Sequence, residues 1–290
     1  MKNFILQLIF SCLLLNAFAQ GSTGIDSSLK FDQRIAKCEK KWVVIGKKDT
    51  SKEYFYGFVY VDQQAGFTFD LKGKFTIDQN NRYVPDTSIS KNKSVKYRIA
   101  ANWSNVALLP PQHFKELNIT GEPSWLKIYY AGKDTSSAYY NYRMGFAYNV
   151  VGEFATALIY LKKACYTKPY PQGVDFEMAF AYNAMQQCDD AIKVSLSAIQ
   201  NKPGDPLLYK ELGYAYSCKK DYENAINTYK KGLEYFPDSR SDSKGEMALN
   251  TAVAYRTMGN QDEYKNWMMK AKEYTPLNSV SYKRIVAAGF

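Results

Sequence analysis

The stretch Pro206-Leu-Leu-Tyr-Lys-Glu-Leu-Gly213-Tyr-Ala-Tyr216, followed by Asp221-Tyr-Glu-Asn-Ala225 and closed by Tyr229, Gly232 and Pro237, decides the fold. Leu212, Gly213 and Tyr216 fall on one face of a first helix, and Ala225, Tyr229 and Gly232 on one face of a second. The small residues let the two helices approach closely, and Pro237 stops the second. A hairpin of this kind covers only one of its own faces, so it needs copies of itself on either side.

Those copies are present. Gly145, Ala179 and Gly213 recur at a spacing of 34 residues, and so do Tyr148, Tyr182 and Tyr216. Ala157, Ala191 and Ala225 keep the same step, as do Pro169, Pro203 and Pro237. A fourth copy carries Ala252, Tyr255, Ala271 and Pro276, offset by 39, so five residues (39 − 34) are inserted near Arg240–Lys244. The run Ser239-Arg240-Ser241-Asp242-Ser243-Lys244 cannot form a core face and is expected to be an exposed loop. With this period and this pattern of small, aromatic and proline places, the chain resembles the tetratricopeptide repeat family over 138–276. The repeats run 138–171, 172–205, 206–239 and 245–278. Copy four departs from the pattern: Tyr264 stands where the others have a small residue, which predicts looser packing or a shifted second helix. Asn278 or Ser279 caps a further helix over 279–290 that covers the last repeat.

Upstream the texture changes. Short apolar or alternating runs at Trp42–Gly46, Tyr54–Val61, Phe67–Leu71, Phe75–Asp78, Val95–Ala100 and Val106–Leu109 read as strands. Turns at Ala65-Gly66, Lys72-Gly73-Lys74 and Gln79–Asn81 between them predict antiparallel pairing. Leu29–Lys41 reads as a short helix running into a strand. Pro111 opens a small helix at Gln112–Leu117, and Ser124–Tyr130 reads as a last strand before the linker Gly132-Lys133-Asp134. The fold class is therefore α+β and multidomain: a mostly antiparallel β domain at 25–131, then an α-helical solenoid. The two parts are expected to be separately stable.

Residues 1–19 read as a signal peptide: Lys2, an apolar run over Phe4–Leu15, then Ala17-Phe18-Ala19 as a small-x-small cleavage site. A rival reading makes Cys12 a lipidated first residue, but Leu13–Leu15 continues the apolar run past it. The expected destination is outside the cytoplasm: periplasm, cell surface or medium. No later run is long and apolar enough to span a membrane. The formal charge of +10 is spread along the chain rather than gathered on one face, which argues against nucleic acid as a partner. Asn92-Lys93-Ser94, Asn102-Trp103-Ser104 and Asn118-Ile119-Thr120 match glycosylation acceptors, which matter only in a eukaryotic source.

Little in the sequence points to catalysis. His113 is the one histidine and reads as structural or surface. There is no zincin pair, phosphate loop or nucleophile elbow, so no metal, cofactor or catalytic residues are assigned. Asp62, Asp70 and Asp78 lie on or near strands and read as solvated strand ends and turns. Cys38, Cys165, Cys188 and Cys218 show no zinc-like spacing. Cys188 and Cys218 fall near adjacent hairpin tips, but free buried thiols are their expected state.

The family resemblance implies a non-enzymatic interaction protein whose first helices line a concave groove. The residues after the small eighth place are Phe146, Phe180, Tyr214 and Val253. One turn later come Asn149, Asn183, Ser217 and Arg256. The groove would then carry an aromatic row beside a polar row able to hydrogen-bond a peptide backbone. The basic and amide set that clamps a terminal carboxylate in related grooves is missing, so the expected partner is a protein or an extended peptide with apolar side chains. Two alternatives stay open. The aromatic row is covered by the chain's own β domain, or the β domain binds glycan or cell-wall material through Trp42, Trp103 and Trp125 with the array as scaffold. A third, weaker reading is an enzyme with an unrecognised site in the β domain.

Overall fold

The structure is a computed structural model and describes residues 28–46, 52–86, 95–103, 105–166 and 169–290. The leader at 1–19 and the acceptor at Asn92 lie outside the described residues. Six strands form one antiparallel sheet: β1 (Lys41–Ile45), β2 (Tyr54–Asp62), β3 (Gly66–Ile77), β4 (Tyr83–Pro85), β5 (Val95–Arg98) and β6 (Val106–Leu108). The order is β4-β3-β2-β1-β6, and β5 pairs with the other half of β3. A short 3-10 helix at Ile35–Lys37 runs into β1, as the sequence predicts, and another spans Pro111–His113.

The predicted break at Lys72-Gly73-Lys74 does not occur. Those residues lie inside β3, which continues from Gly66 to Ile77. Tyr56 pairs with Gly73 but Gly57 pairs with Leu71, so Lys72 is the extra residue of a bulge. The glycines serve close approach, not a turn. A Cβ on Gly73 would meet the Tyr56 ring at 3.2 Å, and one on Gly57 would meet Phe69 Cζ at 2.6 Å.

A second correction falls on Ser124–Tyr130, expected as a strand. It is α1 (Ser124–Ala131). A short apolar run fits either period. Here Leu126, Tyr129 and Tyr130 share a face and reach the sheet: the Tyr129 hydroxyl donates to Asp62 Oδ2 at 2.8 Å and the Tyr130 hydroxyl to Val61 O at 3.2 Å.

The helical array follows as four hairpins: α2 (Ala138–Val150) with α3 (Phe154–Ala164), α4 (Val174–Ala184) with α5 (Cys188–Asn201), α6 (Pro206–Cys218) with α7 (Tyr222–Leu233), and α8 (Asp242–Thr257) with α9 (Gln261–Tyr274). The cap α10 (Val280–Ala287) covers the end. The Ser279 side chain caps α10 by accepting from Tyr282 N, and Ile285 buries against the last hairpin. Small residues set the crossings. A Cβ on Gly145 would meet Leu161 Cγ at 2.5 Å, and one on Gly213 would collide with the Tyr229 ring. Tyr264, the departure in copy four, is half-buried and turns its ring edge-on to Phe290 at 5.7 Å.

Only part of the expected loop forms: Ser239 and Arg240 are exposed and non-helical, as expected, but Asp242, Ser243 and Lys244 are helical. Helix α8 starts at Asp242 with Ser241 as its cap, so Asp242–Lys244 lengthen it. Lys244 is buried because its ammonium has partners: Nζ donates to Pro237 O at 2.8 Å and lies 4.6 Å from the centre of the Tyr274 ring. The Arg240 guanidinium donates to Lys272 O at 3.2 Å and Thr275 O at 2.9 Å.

Each hairpin tip requires a left-handed residue at the same repeat position. Gly152 and Gly259 supply it at φ 77° and 83°, but Gln186 and Lys220 adopt it at φ 59° and 63°. A side chain in that conformation costs roughly 1 kcal/mol. Lys220→Gly, at an exposed site, is therefore expected to raise stability by about 0.5–1 kcal/mol, offset partly by unfolded-chain entropy. A urea midpoint that falls would show that the tip is not strained.

The sheet and the array share a core. Val59, Val61, Phe67 and Phe69 pack into one buried cluster with Tyr140, Ala147, Tyr148 and Val151 of the first hairpin. Phe67 meets Tyr148 edge to face at 5.1 Å, and the Tyr148 hydroxyl donates to Glu39 Oε2 at 2.6 Å. Arg34 binds Val151 O at 3.1 Å and Glu153 at 2.8 Å. This shared packing argues against the expectation of two separately stable parts. The sheet closes the exposed end of the array as a terminal cap does.

Candidate functional site

The expected groove residues lie on the first helices of the four hairpins. Phe146, Phe180, Tyr214 and Val253 are all half-buried, and Arg256 is exposed with its guanidinium 5.5 Å from the Tyr264 ring centre. The row is not uniform. Phe146 lies under the Arg143 guanidinium at 5.3 Å, and Arg143 donates to Gln63 O and Gln64 O, both at 2.7 Å. At this end the β domain's turn reaches the groove. Phe180 packs edge-on to Phe154 at 5.8 Å and parallel to Phe176 at 6.4 Å. Tyr214 enters no ring–ring contact among the described residues and is the freest of the row.

The polar row is built differently from the sequence expectation. Asn149 and Asn183 are buried, and their amide groups are already used. Asn149 Nδ2 donates to Glu177 O at 3.0 Å and Glu177 Oε2 at 2.8 Å; Asn183 Nδ2 donates to Glu211 O and Glu211 Oε2, both at 2.9 Å. Each pair joins one hairpin to the next, so these donors hold the stack and are not free for a peptide backbone. The Oδ1 of each asparagine is buried and accepts no hydrogen bond among the described residues. At the next joint Ser217 replaces the asparagine and stays half-buried, and Asn250 holds the repeat position of Glu177 and Glu211.

The carboxylates of this ladder were not singled out by the sequence reading. Glu177 and Glu211 keep the 34-residue spacing, which is the signal that could have found them. Burial pushes Glu177 up to about 7, opposed by the Asn149 hydrogen bond. Burial also raises Glu211, against the pull of Lys210. Burial would lower Lys210, but the charges of Glu211 and Glu246 outweigh it and raise the ammonium. Lys210 Nζ lies 3.3 Å from Glu211 Oε1 and 3.2 Å from Glu246 Oε2.

These side chains surround a hollow of about 220 Å³ between α4, α6 and α8. Helix α4 contributes Phe180 and Asn183, α6 contributes Lys210, Glu211 and Tyr214, and α8 contributes Glu246 and Asn250. No β-domain residue lines it among the described residues. Phe180 and Tyr214 are thus brought together, while Phe146, under Arg143, and Arg256 are not among the residues that line the hollow.

A disulfide joins Cys188 and Cys218, with the Cα atoms 6.3 Å apart. This corrects the expectation of free thiols there: the superhelical step brings adjacent tips within bonding range. It ties the start of α5 to the end of α6 beside the hollow. Cys38 and Cys165 are free.

The other candidates resolve into packing. His113 stacks on Tyr83 at 3.8 Å and its Nδ1 lies 2.8 Å from Glu116 Oε2. Asp62 accepts from the amides of Gln64 and Ala65 in its turn, and Asp78 accepts from Arg82. Trp42 donates its indole N–H to Gly121 O at 2.7 Å, Trp103 packs on Phe69 at 6.0 Å, and Lys96 covers the Trp125 ring at 5.4 Å. Among the described residues no helix is long and apolar enough to cross a membrane.

Comparison with known proteins agrees with the array. Residues 208–239 match the tetratricopeptide repeat family model. No curated protein matches the chain. Solved structures of MamA are similar in part. One covers 62% of this chain and 93% of its own at 20% identity and a TM-score of 0.44. MamA residues 41 to the end from Desulfovibrio magneticus RS-1 cover 52% and 81% at 17% identity and a TM-score of 0.44.

Proposed function

We propose, from the premise that this chain carries tetratricopeptide repeats, that it is an exported, non-enzymatic adaptor binding an extended polypeptide segment in the concave groove. The observation that carries this reading is the hollow between α4, α6 and α8, walled by Phe180 and Tyr214 and left open by the β domain among the described residues. Tyr214 is half-buried and enters no ring–ring contact among the described residues, so an aromatic ring stands at the hollow for a ligand to cover. The β domain closes the first hairpin and sets the end of the groove through Arg143. Export rests on the leader at 1–19.

Tyr214→Ala is the cleaner probe, because Phe180 also packs on Phe154 and Phe176. Affinity capture with the full chain from its own envelope fraction is expected to recover a partner, and Tyr214→Ala to lose it roughly tenfold or more, the scale of a truncated aromatic anchor. The melting temperature should stay close to that of the parent. Unchanged capture would remove the groove from the reading.

A further inference from the structure

We infer that the Cys188–Cys218 disulfide is a reversible redox latch on the joint between the second and third hairpins. The bridge ties the first residue of α5 to the last residue of α6. That joint sets how α4 and α6 lie against each other, and these two helices carry Phe180 and Tyr214 of the hollow. The latch stands whether or not the groove binds a segment. It is particular to this joint: one period earlier the same two places hold Phe154 and Ala184, and one period later Tyr222 and Thr257. The repeat itself therefore does not require a staple here.

The two sulfurs are placed for thiol exchange. Cys218 is half-buried at the end of α6, so an incoming thiolate reaches it first. Cys188 is buried and opens α5, whose first-turn N–H groups favour it as a thiolate leaving group, against the nearby charges of Asp189 and Asp190. A thiolate of an external dithiol attacks Cys218 Sγ, the bond to Cys188 breaks, and Cys188 leaves with the electron pair. The second thiol of the dithiol then displaces Cys218. The dithiol ends as a disulfide, and its two electrons and two protons end on the cysteines. A second, independent feature lies at the same place. The two tips that the bridge joins are the two whose left-handed residue is not glycine: Gln186 at φ 59° and Lys220 at φ 63°, against Gly152 and Gly259 in the unbridged repeats. Opening the bridge lets these tips relax. The Asn183–Glu211 hydrogen bonds and the Lys219–Asp189 ion pair still join the hairpins, so the bridge can re-form.

The test treats the full chain with dithiothreitol in native buffer and counts thiols by maleimide mass shift. Two further thiols should appear while helical circular dichroism stays unchanged. Amide exchange in the first turn of α5 and the last turn of α6 should quicken. Tryptic cleavage at the exposed Lys219 and Lys220 should rise roughly tenfold, following the population of the open joint. Oxidised glutathione should restore the slow pattern. Cys188→Ser combined with Cys218→Ser should behave as the reduced parent and ignore dithiothreitol. A bridge that yields only in urea, as the helices melt, would make it a structural staple and overturn the inference. So would a double variant that does not fold, or a reduced chain whose exchange and cleavage match those of the oxidised one.

Discussion

Phe67→Ala is expected to destabilise the helical array, and not only the sheet that carries Phe67, by about 3–5 kcal/mol. The residue is 1% exposed and lies edge-on to Tyr148 of the first hairpin. Its removal leaves a void bounded by both parts of the molecule, because Phe69, Val61, Ala147 and Val151 belong to the same buried cluster. The void costs transfer energy and lost contacts on both sides. Helical circular dichroism during thermal unfolding checks this. One cooperative transition shifted to lower temperature is the expected result. An unshifted helical transition beside an early loss of aromatic near-ultraviolet signal would show two independent units. The same packing predicts that a fragment 138–290 exposes Tyr140, Ala147 and Tyr148 and associates or frays at its first repeat.

The repeat array was legible because its marks are local and periodic. Gly145 and Gly213 stand where Leu161 and Tyr229 cross, and the fold leaves no room for a Cβ at either place. The positions of Phe180 and Tyr214 followed from the same arithmetic. The role of Asn149 and Asn183 did not follow, because their partners Glu177 and Glu211 lie 28 residues on, in the next hairpin. A pattern read within one repeat shows which residues share a face, not which residues of two repeats exchange hydrogen bonds. The Cys188–Cys218 disulfide escaped for a related reason: the distance between tips depends on how hairpins stack.

The errors in the β domain have a different origin. Gly73 has two readings in a strand, a turn or a close approach, and only the facing Tyr56 ring decides between them. The Ser124–Ala131 run is too short for its period to choose between helix and strand. Lys244 was read as loop because it is charged, whereas Pro237 O and the Tyr274 ring let it bury. In each case the missing information was a contact distant in sequence.

The ladder also makes the stability of the array depend on pH near neutrality. Glu177 is 7% exposed, and burial moves its carboxyl from 4.5 up to about 7. The groups facing it divide: Asn149, Arg143 and Lys210 favour the charged form, Glu211 opposes it, and burial outweighs the three that help. Because the folded value lies above the unfolded one, the folded state holds more protons between pH 4.5 and 7. Stability therefore falls as pH rises through that window. Below it both states are protonated and no difference remains; above it the full penalty of a buried charge applies. The shift corresponds to about 3 kcal/mol. Glu177→Gln keeps an oxygen for Asn149 Nδ2 while removing the charge, so it should raise stability by that order at pH 8 and by little at pH 4.5. Urea midpoints of parent and variant at pH 4.5, 6 and 8, chosen to bracket that window, check it. Parallel curves for the two proteins, or a variant less stable at pH 8, would show that the charged ladder holds the hairpins together rather than straining them.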